Sequence, residues 1–143
     1  MNIAELIINL HNNTLSSIRS VAKKYSLSYS QVLCIATIPP NGISQTKLAQ
    51  LLSIDLSTLS RNLTRLIEMK ILTKSNNQYD SRSYNIHLTK KGDSLYKNFF
   101  KSLEDSLEFK GLMLDVDEYE VMLDSIIKLN WFLLKKNSHN ASM

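Results

Sequence analysis

Residues 44–92 read SQTKLAQLLSIDLSTLSRNLTRLIEMKILTKSNNQYDSRSYNIHLTKKG, and this stretch decides the fold. Its hydrophobic period changes once. From Leu48 to Leu66 the apolar residues recur at helical spacing, whereas Tyr84–Leu88 alternates apolar and polar residues, as a half-buried strand does. Ser44 is placed to cap a helix Gln45–Leu52 and Asp55 to cap a second, Leu56–Met69, because short oxygen-bearing side chains accept the free N–H groups of a first turn. Only Ser53, Ile54 and Asp55 separate the two, so the link is a tight turn, and Ala49 lets the helices cross closely. Leu56, Leu59, Leu63 and Leu66 then form one stripe expected to be buried. Ile71–Lys74 reads as a short strand, Tyr84–Leu88 as its partner, and the polar Ser75–Ser83 as a long hairpin tip. Thr89 is placed to cap the helix after the hairpin.

Outward from this block the chain is helical. Ile3–Tyr25 carries apolar residues at helical spacing, with Asn12, Asn13 and Thr14 weakening its middle and inviting a break or kink. Ser28–Ile38 is ended by Pro39-Pro40-Asn41-Gly42. Lys90–Leu107 precedes Gly111, and Asp115 with Glu118 forms a capping box for Val116–Lys136. The tail 137–143 reads as frayed. The expected class is mainly α with a small β-hairpin wing, in one domain spanning 1–143.

Composition narrows the chemistry. Of 143 residues, 43% are hydrophobic and only three are Gly and two Pro, which excludes disorder and a many-turned all-β fold. The single Cys34 cannot build a disulfide framework or a thiolate cluster; in phase with Ile35 and Ile38, it reads as a small core residue. His11, His87 and His139 share no ligand spacing, so no metal and no cofactor are expected. No Ser/His/Asp order, phosphate-binding Gly loop or dinucleotide fingerprint is present, and an enzyme is not expected. The longest apolar run, Val32–Ala36, is far too short to span a bilayer. With no basic leader in view, the expectation is a cytoplasmic protein without membrane contact.

Charge is unevenly spread. Residues 44–101 carry a net +6, residues 1–43 a net +2 and residues 102–143 a net −4. A basic middle beside an acidic end suits a polyanion that meets only the middle. Three of the four arginines, Arg61, Arg65 and Arg82, fall there, and Arg offers the planar fork that matches phosphate or guanine. An ordinary solvated helix face using Arg is the competing explanation.

Against that explanation stands the polar side of the second helix. Opposite the leucines lie Ser57, Thr58, Ser60, Arg61, Asn62, Thr64 and Arg65, without one acid, whereas solvated faces mix signs. The second helix of a helix-turn-helix enters a major groove about 12 Å wide. Ser57 and Arg61, early on it, are assigned to base edges, with Arg61 bidentate to guanine; Thr58, Asn62 and Arg65 are assigned to phosphates. At the hairpin tip, Asp80 and Arg82 lie on one side of a strand, so the carboxylate is expected to hold the guanidinium for a narrow minor groove. A surface ion pair holding the turn is the plainer alternative.

These residues resemble the multiple-antibiotic-resistance regulator (MarR) family of winged helix-turn-helix proteins. The resemblance rests on Leu48-Ala49, on Ser57-Thr58-Leu59-Ser60-Arg61, on Leu66, on Ile71-Leu72, on Asp80-x-Arg82 and on Leu88-Thr89-x-x-Gly92. It implies a DNA-binding part at 28–92 and dimerisation helices at 1–25 and 93–136. It further implies a homodimeric transcription regulator on a pseudo-palindromic duplex, commonly a repressor released by a small phenolic or amphipathic ligand. The implied DNA-binding set is completed by Ser44, Thr46, Lys47 and Ser60, and His11, Tyr25 and Tyr29 fall where the family's ligand cleft opens. Three departures are visible: Lys70 where the family has Gly, Lys47 where it often has an acid, and one wing Arg where many members have more. The competing function is a winged-helix module that docks an acidic protein and binds DNA only without sequence preference.

Overall fold

The computed structural model describes residues 1–140, and these divide into two compact units, Met1–Leu107 and a second beginning at Glu108. The first unit contains α1 (Ile3–Lys24), α2 (Tyr29–Thr37), β1 (Ile43–Ser44), α3 (Gln45–Leu52), α4 (Leu56–Glu68), β2 (Leu72–Asn76), β3 (Tyr84–Leu88) and α5 (Lys90–Leu107). The second contains a 3-10 turn, Phe109–Leu112, and α6 (Val116–Asn140).

Side-chain caps set most of the helix starts. Ser28 accepts from the Gln31 N–H while the Gln31 side chain accepts from the Ser28 N–H, a closed capping box. Asn2 and Glu5 do the same for α1, and Asp115 and Glu118 for α6. Ser44 caps α3 through the Lys47 N–H. The expected break in α1 does not occur. The Thr14 hydroxyl donates to the carbonyls of Leu10 and His11, which satisfies it inside a continuous helix.

Leu59, Leu63 and Leu66 of α4 meet Leu48 and Ala49 of α3, Val32, Cys34 and Ile35 of α2, Ile71, and Ile86 of β3 in one buried cluster. Leu56 is a correction to the expected stripe: it is 50% exposed. It is the first residue of α4, where the helix has only begun to turn against its neighbours. Phe99 on α5 extends the core toward α1, and Tyr25 meets it edge-on at 5.9 Å while its hydroxyl bonds Ser102 at 2.8 Å. Cys34 is fully buried, as its phase with Ile35 requires.

The hairpin belongs to a three-stranded antiparallel sheet of order β1-β3-β2. Leu72 pairs with Leu88 and Asn76 with Tyr84, while Ile43 of β1 pairs with Ile86. β1 has no counterpart in the sequence pattern, since two residues carry no periodic signal. It is admitted by Gly42, whose φ of 81° carries the chain against the His87 ring. The half-buried His87 therefore lies under that turn.

In the second unit, α6 runs past Lys136 to Asn140, so part of the tail expected to fray is helical; residues 141–143 lie outside the described residues, as does the His139 side chain. Ile126, Ile127, Trp131 and Phe132 of α6 are exposed, and so are Ile3, Leu6, Ile8 and Leu10 of α1 in the first unit. No helix among the described residues is long and apolar enough to cross a membrane.

The burial contrast within α4 has a measurable outcome. Leu63→Ala lowers unfolding stability by about 2–5 kcal/mol, the range for emptying a packed leucine site. Leu56→Ala costs about 1 kcal/mol or less. Urea denaturation of both variants at one protein concentration separates the two sites.

Candidate nucleic-acid interface

α4 is capped by Asp55, whose carboxylate takes three hydrogen bonds. The Thr58 N–H donates at 2.8 Å, the Thr58 hydroxyl at 2.8 Å, and the Ser57 hydroxyl donates as well. These donors, the Ser57 hydroxyl first, hold the carboxyl well below the usual carboxylate range. The residues assigned to base and phosphate contact thus first serve the cap. Each hydroxyl proton is thereby committed to Asp55, and each oxygen keeps its capacity to accept.

The far end of α4 closes on an unusual residue. Lys70 is left-handed at φ 59°, the conformation in which the departure from Gly is felt. Its N–H donates to Ile67 and the Ile71 N–H reaches back to Leu66, the two bonds of a Schellman closure. The start of α5 then covers the remaining carbonyls. The Thr89 hydroxyl donates to Lys70 at 2.7 Å, and Lys91 Nζ donates to the Met69 carbonyl at 2.8 Å. Gly92 makes this approach possible, because a Cβ there would overlap the Ile71 carbonyl oxygen. Lys91 was absent from the sequence-derived candidates, although a lysine in a helix first turn opposes the helix dipole and so signals a partner elsewhere.

Between these two ends, Ser57, Ser60, Arg61, Thr64 and Arg65 are exposed and Thr58 and Asn62 half-buried. Thr46 and Lys47 are exposed at the start of α3, beside the half-buried Ser44. Among the described residues Arg61 and Arg82 make no ion pair, while Arg65 lies 3.7 Å from Glu68 with both side chains largely in solvent. An exposed pair of that kind contributes roughly 0.2–1 kcal/mol and yields readily to phosphate.

At the wing tip the expected contact between Asp80 and the Arg82 guanidinium is replaced. Asp80 Oδ1 accepts the Arg82 backbone N–H at 2.9 Å, so the carboxylate shapes the turn and leaves the guanidinium in solvent. Asn77 accepts from the Tyr79 N–H in the same way, and the Ser83 N–H donates to the Asp80 carbonyl. Lys74 Nζ stands 3.7 Å from the Tyr84 ring centre at the wing stem.

The three residues expected at a ligand cleft have different immediate neighbours. His11 is exposed on α1, Tyr25 is engaged with Phe99 and Ser102, and the Tyr29 ring lies under Arg19. A separate cleft of about 540 Å³ has Ile38, Pro40, Leu88, Asp93, Ser94 and Tyr96 among its lining residues. Burial pushes the Cys34 thiol up to about 11, so it stays a neutral thiol at pH 7. No group of three His, Cys, Asp or Glu able to hold a metal occurs among the described residues.

The profile of the SarA/Rot transcriptional regulators matches residues 16–99, more than half of the chain. No curated protein sequence matches. Among solved structures, MarR superposes with a TM-score of 0.82 at 20% identity, covering 97% of this chain and 95% of its own. A point mutant of MepR from a multidrug-resistant S. aureus clinical isolate gives 0.79 at 19%, covering 93% and 98%. A point mutant of MarR from E. coli, complexed with operator DNA, gives 0.67 at 20%, covering 89% and 92%. At these identities the likeness is one of fold.

The Asp55 cap sets a pH dependence. A carboxyl held low in the folded state stabilises fully above its unfolded value near 3.9, and that stabilisation is lost as pH falls toward the folded value. Asp55→Ala therefore melts at a lower temperature than the parent from pH 5 to 7. The gap narrows only below about pH 4. Thermal unfolding followed by circular dichroism across that range reads it.

Proposed function

Because this chain belongs to the SarA/Rot family of transcriptional regulators, we propose that it is a sequence-specific double-stranded DNA-binding regulator acting as a homodimeric repressor in the cytoplasm. The observation that carries the reading is the outer face of α4. Three hydroxyls, of Ser57, Ser60 and Thr64, and two arginines stand in solvent there, with the half-buried Thr58 and Asn62 between them, on a helix whose opposite face is locked into the core.

In this reading residues 28–92 form the DNA-binding part, and α4 enters the major groove. Ser57 and Arg61 meet base edges, Arg61 as a fork on a guanine. Ser44, Thr46, Lys47, Ser60, Asn62 and Arg65 hold phosphates and set the register, and the Thr58 hydroxyl joins them by turning from Asp55, which keeps the Thr58 N–H. Arg82, its guanidinium free beyond the Asp80 turn, takes the flanking minor groove. Two copies related by a two-fold axis address half-sites about 10 bp apart.

The dimer is supported by the apolar residues left in solvent on α1 and, separately, on α6, the segments 1–25 and 93–136 assigned to pairing. Exposed apolar rows of this size mark association surfaces. Release by a small phenolic or amphipathic ligand belongs to the same proposal. Such a ligand, binding near His11, Tyr25 and Tyr29, would shift the population toward a spacing of the two α4 helices that misses the half-sites.

Two measurements test this. In gel shifts on the gene's own upstream region, Arg61→Ala loses about 5–150-fold in affinity for the specific duplex. A scrambled duplex at the same salt competes poorly with the parent protein. Equal competition by both duplexes, with Arg61→Ala unchanged, would favour the module that docks an acidic protein. By sedimentation, the parent is a dimer at micromolar concentration, and Ile3→Asp with Leu10→Asp drives it to monomer; a parent monomer defeats the two-fold scheme.

A further inference from the structure

Tyr79 is 90% exposed. The other five tyrosines are held against the protein: Tyr25, Tyr29, Tyr96 and Tyr119 are half-buried, and Tyr84 lies under Lys74. Tyr79 occupies the wing tip, three residues before Arg82, and its backbone is not loose. Its N–H is held by Asn77 at 2.9 Å. The Asn77 N–H closes on the Ser83 carbonyl at 3.1 Å and the Ser83 N–H on the Asp80 carbonyl at 3.0 Å. A fixed turn thus presents a large aromatic ring to solvent on the same short tip as the wing's one arginine.

From this placement we infer that Tyr79 is a DNA-contact residue, its ring lying against the walls of the minor groove that receives Arg82. The inference rests on the DNA-binding reading above and deepens it. The chemistry favours duplex DNA over a protein partner. The wing from 74 to 84 carries two cations, Lys74 and Arg82, against the one carboxylate of Asp80, which is turned onto the Arg82 N–H, and this net positive charge suits a polyanion. A minor groove about 6 Å wide admits a ring edge-on between sugars, which give it apolar surface. The phenol hydroxyl offers a donor to the acceptors that A·T pairs present there, while the amino group of G·C obstructs it. Minor-groove binders commonly bring apolar side chains, phenylalanine among them, into the groove beside their arginines. A ring on the tip also supplies contact area that a lone arginine lacks.

The test uses the full-length protein, the duplex it selects from its own upstream region, and the same duplex with flanking A·T pairs changed to G·C. Tyr79→Ala and Tyr79→Ser are expected to bind the selected duplex roughly tenfold more weakly and to lose discrimination against the G·C flank. Tyr79→Phe is expected to keep most of the affinity. Hydroxyl-radical protection of the flanking minor groove should fade in Tyr79→Ala while protection at the half-site centres persists. Melting temperatures of the variants should match the parent, since the side chain touches little. If Tyr79→Ala binds and footprints as the parent does while Arg61→Ala is defective, this inference alone fails. Equal weakening of Tyr79→Ala on both flanks, with the footprint unchanged, overturns the minor-groove placement. If the parent and Arg61→Ala bind every duplex alike, the underlying reading fails and takes this one with it.

Discussion

α4 can present a polar face because it is immobilised along its other side and tied at both ends. Leu59, Leu63 and Leu66 have essentially no accessible surface, and each buried leucine contributes on the order of 2 kcal/mol. That burial alone would leave the helix free to slide or fray at its termini. At one terminus the Asp55 carboxylate gathers three donors; at the other, Thr89 and Lys91 of α5 cover the carbonyls of Lys70 and Met69. A left-handed lysine costs roughly 1–2 kcal/mol. A single hydrogen bond, at about 0.5–1.5 kcal/mol, does not reliably offset that, whereas the set that converges on Met69, Lys70 and Ile71 does. The exit from α4 therefore tolerates a residue other than glycine because a neighbouring helix completes it.

The same logic governs charge. The outer face of α4 is acid-free until Glu68 in its last turn, and Glu68 meets Arg65 only at 3.7 Å in solvent. Nothing in the fold neutralises Arg61 among the described residues. Asp80, the acid nearest Arg82 in sequence, is committed to a backbone N–H. Acids are present in this part of the chain, yet each is placed where it caps, turns or pairs loosely. The basic side chains keep their donors for an external anion.

Much of this was legible in the order of residues. The two helices and their caps at Ser44 and Asp55, the strand Tyr84–Leu88 and the capping box of α6 follow from local chemistry that acts within four residues. What was illegible depends on distant partners. Leu56 fits the helical period of the stripe, but whether the first turn of a helix is covered is decided by what lies opposite. β1 is two residues long and exists only because Gly42 brings Ile43 to Ile86. Asp80 meets the Arg82 backbone N–H and not the guanidinium, a choice that spacing along a strand cannot make. The break expected at Asn12–Thr14 failed for the opposite reason: Thr14 found its acceptors one turn back, inside the helix.

α5 links these local solutions. Its first turn holds the end of α4 through Thr89, Lys91 and the bare Cα of Gly92, and further along it Phe99 and Ser102 engage Tyr25 near the end of α1. A helix transmits displacement along its axis because its backbone hydrogen bonds resist stretching. Moving α4 relative to α1 therefore requires breaking bonds at one end of α5 or the other. At the Tyr25 end the hydroxyl pair and the aromatic edge sit within a broader apolar packing of α1 on α5, with Ile18, Val21 and Ala22 on one helix and Leu95, Phe99 and Leu103 on the other, whereas the α4 end is a tight backbone approach that admits no Cβ. α5 thus ties α4 to α1 by contacts of two kinds, polar and backbone at its first turn and apolar along its length.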